Sequence, residues 1–336
     1  MKLEILKKIA VELSKKPRGI LAADESTGTI KKRFDLINLE SSFENRRKYR
    51  ELLFSTPDLG KFISGVILFD ETIKQKDKNG KSFVDLLKEN NIHSGIKVDI
   101  GAKDLVGSNG ERITEGLDNL NNRMLEYAHL GATFAKWRAV IEITDTNPSD
   151  YCIELNSHAL ARYAKICQHN NIVPIVEPEV LMDGDHDIQK CYEVTSKTLK
   201  NLFKNLKFQN VYLEGILLKP NMVISGLKCK KQSTVNEVAQ KTIDCLKNNV
   251  SEEVPGIVFL SGGQSDQKAT EHLNEMNKIQ DLSWKLSFSY GRALQQSVLY
   301  KWKGDDNNIY EAQKELLKRS KLNSMATKGE YLLEME

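Results

Sequence analysis

The chain lacks the features that would place it in a membrane or in an oxidising compartment. No run of about 18 apolar residues occurs along its 336 residues, so the sequence predicts no membrane span. Charges interrupt the first ten residues, which predicts an amphipathic helix rather than a signal peptide. The five cysteines are odd in number and form no C-x-x-C pair, which argues against a disulfide framework or a structural zinc site. We therefore expect a cytoplasmic protein.

The chain also has little excess charge. Its formal net charge is +3, and acidic stretches are interspersed with lysine-rich ones. A nucleic-acid-binding domain usually has a strongly basic face, so we expect no nucleic-acid partner. No G-x-G-x-x-G turn follows an early apolar run, which argues against an open, doubly wound dinucleotide-binding sheet.

Eight short apolar runs recur along the chain, at residues 19–23, 65–69, 95–99, 134–138, 173–177, 215–219, 256–260 and 286–290. Each has the length of a strand that is buried on both faces. Their spacing of roughly 30 to 45 residues leaves room for a helix between consecutive strands. We therefore predict an α/β fold, a closed (β/α)8 TIM barrel. It would form a single domain over residues 1–336, with an N-terminal helix in 1–18 and a C-terminal helix and short tail over about 302–336.

Charged residues lie inside these runs or at their C-terminal ends, where a barrel carries its active site. They are Asp24, Lys97, Asp99, Lys136, Arg138, Glu177, Glu179 and Lys219. One such charge would be read as an ion pair at a strand end. Acids and bases that recur on several strands favour a functional site, and neighbouring cations favour a lysine amine that attacks a carbonyl. The pattern alone does not choose among the three lysines.

Two glycine-containing turns follow the last two runs. They are Ser261-Gly262-Gly263-Gln264-Ser265 and Ser289-Tyr290-Gly291-Arg292. Each precedes a helical pattern, so its backbone N–H groups lie at a helix N-terminus, which suits a phosphate group. A single turn of this kind would need its glycine only for flexibility, whereas two in this position favour a phosphate-binding site.

Nine segments keep a fixed order from near the N-terminus to about residue 300. They are GILAADESTGTIKKRF (19–34), ENRRKYRELLFST (44–56), GVILFDET (65–72), GIKVD (95–99), GATFAKWRAV (131–140), NIVPIVEPEVLMDGDHD (171–187), YLEGILLKPNMV (212–223), FLSGGQS (259–265) and FSYGRALQ (288–295). Together they closely resemble the class I fructose-1,6-bisphosphate aldolase family. The resemblance implies reversible cleavage of a sugar phosphate through a lysine imine, no metal or other cofactor, and a homotetramer.

The resemblance also implies a role for each matched residue. Lys219 would attack the C2 ketone, and Glu177 would act as general acid and base as the imine forms and hydrolyses. Asp24 would take the proton of the C4 hydroxyl, Glu179 would hold Lys219 and its neighbours in position, and Lys136 would supply charge beside the nucleophile.

Phosphate contacts follow from the same resemblance. At one end of the substrate they are Ser261, Gly262, Gly291 and Arg292, with Gly263 in the same turn. At the other end they are Ser26, Thr29, Lys97 and Arg33, while Arg138 lies close to Lys136, and Ser289 and Arg46 are further candidates. Animal members of the family carry a longer tail that ends in tyrosine and assists proton exchange. The last tyrosine here is Tyr331, so we expect Tyr331 or water in that role.

Several alternatives remain beside this interpretation. The segment 260–264 resembles the signature of transporter ATPases, but Gln75 stands where the glycine of a Walker A loop that ends at 80–82 is required. A zinc-dependent aldolase needs clustered ligands, and the six histidines are scattered along the chain. A preference for fructose 1-phosphate and a non-catalytic barrel used as a binding scaffold stay open.

Overall fold

The computed structural model describes residues 2–336 and contains a closed barrel of eight parallel strands. The ten strands of the chain are β1 (Gly19–Ala23), β2 (Ile63–Leu68), β3 (His93–Lys97), β4 (Ala102–Asp104), β5 (Arg112–Thr114), β6 (Phe134–Ile141), β7 (Val173–Val180), β8 (Leu217–Leu218), β9 (Gly256–Phe259) and β10 (Lys285–Tyr290). Strands β4 and β5 form a separate antiparallel pair, and the other eight follow one another around the barrel in chain order. The predicted (β/α)8 barrel is confirmed.

Helices cover the outside of the barrel and close one of its ends. They are α1 (Lys2–Ser14), α2 (Thr27–Asp35), α3 (Phe43–Phe54), α4 (Asp70–Ile73), α5 (Phe83–Glu89), α6 (Leu120–His129), α7 (Asp150–His169), α8 (Ile188–Phe208), α9 (Val235–Asn249), α10 (Asp266–Lys278), α11 (Arg292–Trp302) and α12 (Ile309–Ala326). Met1, the first residue of the predicted N-terminal helix, lies outside the described residues. None of the helices between residues 2 and 336 combines the length and apolar composition that a membrane crossing requires.

The strands are apolar on both faces because each face meets a different layer. Trp137 of β6 points outward and stacks on Tyr163 of α7, with ring centroids 5.5 Å apart. Phe134 of the same strand points inward and belongs to a second, smaller apolar cluster. Alternate residues of one strand thus reach opposite faces, which explains the continuous apolar runs.

Helix α1 closes the N-terminal end of the barrel. Leu6, Ala10 and Leu13 recur at helical spacing, are fully buried and pack with Phe134 in the inner cluster. Gly95 of β3 makes this packing possible, since a Cβ added there would lie 2.3 Å from the Phe134 ring. Apolar contacts therefore fill this end of the barrel, and polar side chains are left to the other.

Candidate active site

A cleft of about 220 Å³ opens at the C-terminal ends of the barrel strands. Its lining includes every candidate site residue predicted from the sequence except Arg46, Gly263 and Tyr331: Asp24, Ser26, Thr29, Arg33, Lys97, Lys136, Arg138, Glu177, Glu179, Lys219, Ser261, Gly262, Ser289, Gly291 and Arg292. The topology explains this convergence, because parallel strands of a barrel all present their C-terminal ends at one face.

Lys219 lies immediately after the short strand β8. Its backbone N–H donates to the Val176 carbonyl of β7 at 2.8 Å, which continues the strand pairing to the lysine itself. The side chain is 5% exposed, and its Nζ lies 3.2 Å from Oε1 of Glu177. The amine is therefore held at the floor of the cleft, beside a carboxylate that can exchange a proton with it.

Lys136 of β6 connects this pair to a second acid. Its Nζ lies 2.7 Å from Oδ2 of Asp24 and 3.4 Å from Oε2 of Glu177. Asp24 follows β1 directly, on the far side of the barrel from β6 and β7. Asp24, Lys136, Glu177 and Lys219 thus form a row of alternating charge across the barrel mouth, which we call the charged row.

The charged row keeps its acids ionised although it is buried. Burial opposes ionisation of Asp24, but Lys136 and Lys219 outweigh it and hold the pKa of that carboxyl well below its usual range. Burial also opposes ionisation of Glu177, but Lys136 and Lys219 again outweigh it, so the pKa of Glu177 is lowered. Burial alone would lower the pKa of Lys136, yet Asp24 and Glu177 outweigh it and raise this pKa above its ordinary value. The row therefore carries two carboxylates beside cationic Lys136 at neutral pH.

Glu179 occupies the next inward position of β7 and forms an ion pair with Nε of Arg138 on β6. The Glu179 side chain is buried, whereas that of Arg138 is 42% exposed. The pair borders the cleft. Glu179 thus holds the guanidinium of Arg138 at the rim.

The residues around the N-terminus of α11 form a candidate anion-binding site, which we call the anion seat. Gly291 caps this 11-residue helix, and Arg292 is its first residue. Across the seat, Ser261 and Gly262 follow β9. The Ser289 hydroxyl lines the cleft, is buried, and has no hydrogen-bond partner within residues 2–336. Backbone donors at a helix N-terminus, with an arginine beside them, suit a phosphate group.

A second polar group lies after β1 and β3. The hydroxyls of Ser26 and Thr29 are 3.0 Å apart in the first turn of α2, where Ser26 is the N-cap. Lys97 ends β3, and its Nζ lies 3.3 Å from Oδ1 of Asp99. These residues line the same cleft as the charged row, so it offers polar groups for a ligand with two anionic ends.

Three residues considered in the sequence lie outside the cleft lining. Arg46 donates to both carboxylate oxygens of Glu71, at 2.8 and 2.6 Å, so its guanidinium is already engaged on α3 and α4. Gly263 faces Met182, whose sulfur would lie 3.0 Å from an added Cβ. Tyr331 is buried, and its hydroxyl donates to Oε1 of Glu336 at 2.9 Å.

Two buried acids support the cleft: Glu25, which sequence reasoning missed, and Asp99, which it noted in the run 95–99 without giving it a role. Glu25 accepts hydrogen bonds from Arg50 and Gln295, and Asp99 accepts one from the backbone N–H of Arg138 at 3.4 Å. The available signal was the position of these acids, since Glu25 adjoins Asp24 and Asp99 closes the run 95–99. Their partners come from distant parts of the chain, so the sequence could not identify them.

Comparison with known proteins agrees with this geometry. A family model described as "Fructose-bisphosphate aldolase class-I" matches residues 5–336. The chain is 54% identical to "Probable fructose-bisphosphate aldolase class 1" of Xanthomonas campestris pv. campestris, over 98% of this chain and 99% of that protein. It is 50% identical to "Fructose-bisphosphate aldolase B" of Gallus gallus, over 97% of this chain and 90% of that protein. A solved fructose-bisphosphate aldolase of Plasmodium falciparum, in complex with TRAP and an inhibitor, superimposes with a TM-score of 0.98 at 50% identity, over 98% of this chain and 96% of that one.

Proposed function

The chain belongs to the class-I fructose-bisphosphate aldolase family, and on that premise we propose that Lys219 forms the Schiff base with the substrate. The chain is a lyase that cleaves fructose 1,6-bisphosphate reversibly into dihydroxyacetone phosphate and glyceraldehyde 3-phosphate. The observation that carries the assignment of Lys219 is the charged row, which sets this amine 3.2 Å from the carboxylate of Glu177.

Imine formation follows from this contact. The Lys219 amine adds to the C2 ketone, and the resulting carbinolamine must lose its hydroxyl group as water. The Glu177 carboxylate is near enough to take the proton that the nitrogen loses on addition and to deliver it to the departing hydroxyl, and the same transfers run in reverse when the imine is hydrolysed. Lys136 keeps Glu177 ionised between these transfers, because its ammonium lies 3.4 Å from the same carboxyl group.

Carbon–carbon cleavage uses the other end of the charged row. The protonated imine at C2 is an electron sink, so the electrons of the C3–C4 bond can move toward it as the C4 hydroxyl loses its proton. We assign that proton to Asp24, which stays ionised beside Lys136 at 2.7 Å. The aldehyde then departs, and the enamine that remains on Lys219 takes up a proton at C3 before hydrolysis.

The two phosphates would occupy the two polar groups of the cleft. The C1 phosphate is bonded one carbon away from C2, so it must lie near Lys219. The seat at Ser261 and Gly291 fits it, because β9 and β10 follow β8 around the barrel. The C6 phosphate lies four carbons from the imine, and Ser26, Thr29 and Lys97 suit it across the cleft.

This second polar group favours fructose 1,6-bisphosphate over fructose 1-phosphate, which has nothing to place there. The test is to compare the kcat/KM values of the two substrates in the wild-type protein and in Lys97→Met. We expect the wild type to prefer the bisphosphate and the variant to lose most of that preference through an increased KM. Equal kcat/KM values for both substrates in the wild type would contradict the assignment.

A zinc-dependent reaction is the competing chemistry. Within residues 2–336, no three histidine, cysteine, aspartate or glutamate side chains are grouped as metal ligands would be. We therefore propose the imine route without a metal. Overnight dialysis against a chelator should leave the cleavage rate unchanged, and a loss of activity that added zinc restores would overturn this proposal.

We also propose that the whole chain acts as one domain and assembles into a homotetramer in the cytoplasm. Exposed apolar side chains at the β4–β5 pair and on α6 support a contact between copies, since Ile100 is 59%, Val106 87% and Leu125 47% exposed. Relatives from Arabidopsis thaliana and Spinacia oleracea are named as cytosolic and cytoplasmic isozymes, which supports the location. Light scattering of the purified protein tests the assembly, and a monomeric mass would contradict it.

A further inference from the structure

A buried cluster of four residues lies directly behind the anion seat. We call Glu25, Arg33, Arg50 and Gln295 the Glu25 cluster. The Glu25 side chain is 3% exposed and forms ion pairs with Nη1 of Arg33 and, at 2.7 Å, with Nη2 of Arg50. Nε2 of Gln295 donates to the same carboxylate at 3.1 Å and to the Ala22 carbonyl at 2.7 Å. These contacts are separate from the charged row, of which Glu25 is not a member.

The Glu25 cluster carries one carboxylate and two guanidinium groups. Burial opposes ionisation of Glu25, but the arginines outweigh it and lower the pKa of this carboxyl. The cluster therefore has a formal charge of +1 at neutral pH. Nη1 of Arg50 is buried without a hydrogen-bond partner within residues 2–336. The surplus charge matters at the arginine of this cluster that lines the cleft.

Arg33 is that arginine. Its side chain is 21% exposed and lines the cleft, whereas that of Arg50 is 3% exposed and lies behind it. Nη2 of Arg33 lies 3.7 Å from the position that a Cβ on Gly291 would occupy, so the guanidinium faces the N-terminus of α11, whereas the resemblance to the family had grouped Arg33 with Ser26 and Thr29. Nη1 of the same guanidinium is fixed by Glu25. One edge of Arg33 is thus anchored while the other faces the seat.

We propose that Glu25 is a positioning residue that holds Arg33 at the anion seat, and that Arg50 supplies the charge that leaves Arg33 attractive to phosphate. If Glu25 were paired with Arg33 alone, the negative charge of the carboxylate would cancel the positive charge of the guanidinium. With Arg50 present, the carboxylate is shared between two guanidinium groups, so the cluster keeps one net positive charge that attracts an incoming dianion. Anchoring also removes the rotamer freedom that a long arginine side chain would otherwise lose when phosphate binds. This inference rests on the proposed function, because it takes the ligand of the seat to be the C1 phosphate.

The test compares two ketones that form the same imine and differ in the phosphate. Dihydroxyacetone phosphate and dihydroxyacetone are each titrated against the wild type and Glu25→Gln, and borohydride reduction traps the imine. The readout is the concentration that labels half of the protein. We expect Glu25→Gln to raise this concentration about tenfold for dihydroxyacetone phosphate, because the loss of the anchor that orients Arg33 outweighs the positive charge that the variant adds, and to leave it unchanged for dihydroxyacetone.

Glu51→Gln is the matched control. Glu51 pairs with Arg47 on α3, the helix that carries Arg50, but does not line the cleft, so this variant should bind both ketones as the wild type does. A Glu25→Gln variant that weakens both ketones equally, or neither, would overturn the inference. If Glu25→Gln does not fold, Arg50→Met tests the same claim, since it should weaken dihydroxyacetone phosphate alone. A wild type that traps neither ketone would instead refute the proposed function itself.

Discussion

The two ends of the barrel interior are built on the same strands and have opposite chemistry. On β6, Phe134 packs in the apolar cluster that α1 covers, and Lys136, two residues later, lines the cleft. On β7, Ile175 belongs to the apolar cluster and Glu177 to the charged row. A two-residue step along a strand keeps a side chain on the inner face. One strand can therefore contribute packing at its start and chemistry at its end.

The contrast shows where each end obtains its stability. The apolar end gains free energy from burial itself, at about 25 cal/mol per Å² removed from water. The charged row must offset the cost of removing ions from water, and it does so by alternating two acids with two lysines. We expect substitutions at the apolar end to change mainly stability and substitutions in the row to change mainly catalysis, with a smaller effect on stability.

Replacement of Lys219 should give the largest effect. Lys219→Met keeps the length of the side chain but removes the amine, so no imine can form, and cleavage of fructose 1,6-bisphosphate should fall by at least about 10⁴-fold. Rates are measured by coupled assay at saturating substrate. Lys230→Met, at an exposed lysine, is the control and should keep full activity. A Lys219→Met variant with substantial activity would remove the basis of the assignment.

Phe134→Ala, at the apolar end of the barrel, should lower the stability of the fold and leave catalysis unchanged. Phe134 is fully buried, so its truncation should cost about 3–5 kcal/mol of unfolding free energy through lost burial and a residual cavity. Molecules that remain folded should keep their kcat. Denaturant titration measures the loss, and Phe208→Ala, at a side chain that is 79% exposed, is the control. An equal loss of kcat in Phe134→Ala would show that the two ends are not separable.

Glu177→Gln should weaken catalysis without abolishing it. The amide keeps the shape of the side chain but cannot exchange a proton with the carbinolamine, so kcat should fall about 10²- to 10³-fold. Trapping by borohydride should still label Lys219, only more slowly. Glu142→Gln, at an exposed acid just after β6, should behave as the wild type. A normal rate of imine formation in Glu177→Gln would exclude Glu177 from this step.

The smallest expected effect is a pH-dependent change in stability at Asp24. The pKa of Asp24 is depressed in the folded protein, so the ion pair with Lys136 stabilises the fold above about pH 4. This contribution is lost as the pH falls toward the depressed value. Asp24→Asn should therefore have a Tm about 2–4 °C below the wild type at pH 7, and the gap should narrow from pH 4 downward. A gap that is constant between pH 7 and pH 3 would contradict the pairing.

The barrel was predictable because buried parallel strands leave continuous apolar runs, and β1 coincides with the run 19–23. The predicted bounds of a strand were less accurate where another element of secondary structure lies next to it. The predicted strand 215–219 is reduced to Leu217–Leu218, because a short 3₁₀ turn occupies Leu213–Gly215. The antiparallel pair β4–β5 was missed because each strand has only three residues, which is too few to show an alternation of apolar and polar side chains.

The residues of the site could be predicted from the sequence, but the contacts between them could not. Charges at strand ends indicated Lys97, Lys136 and Lys219 equally, and family resemblance was needed to choose among them. The contact of Lys136 with Asp24 joins strands that are not adjacent in the barrel, so no local spacing encodes it. Residues such as Glu25 were missed for the same reason, since their roles depend on partners from other helices.

The most direct test of the central claim is to map the covalent adduct. The wild-type protein is incubated with dihydroxyacetone phosphate, reduced with borohydride and digested, and the modified peptide is identified by mass spectrometry. The charged row predicts a single reduced adduct, on the peptide that contains Lys219. A label on Lys136 or Lys97, or no label at all, would contradict it.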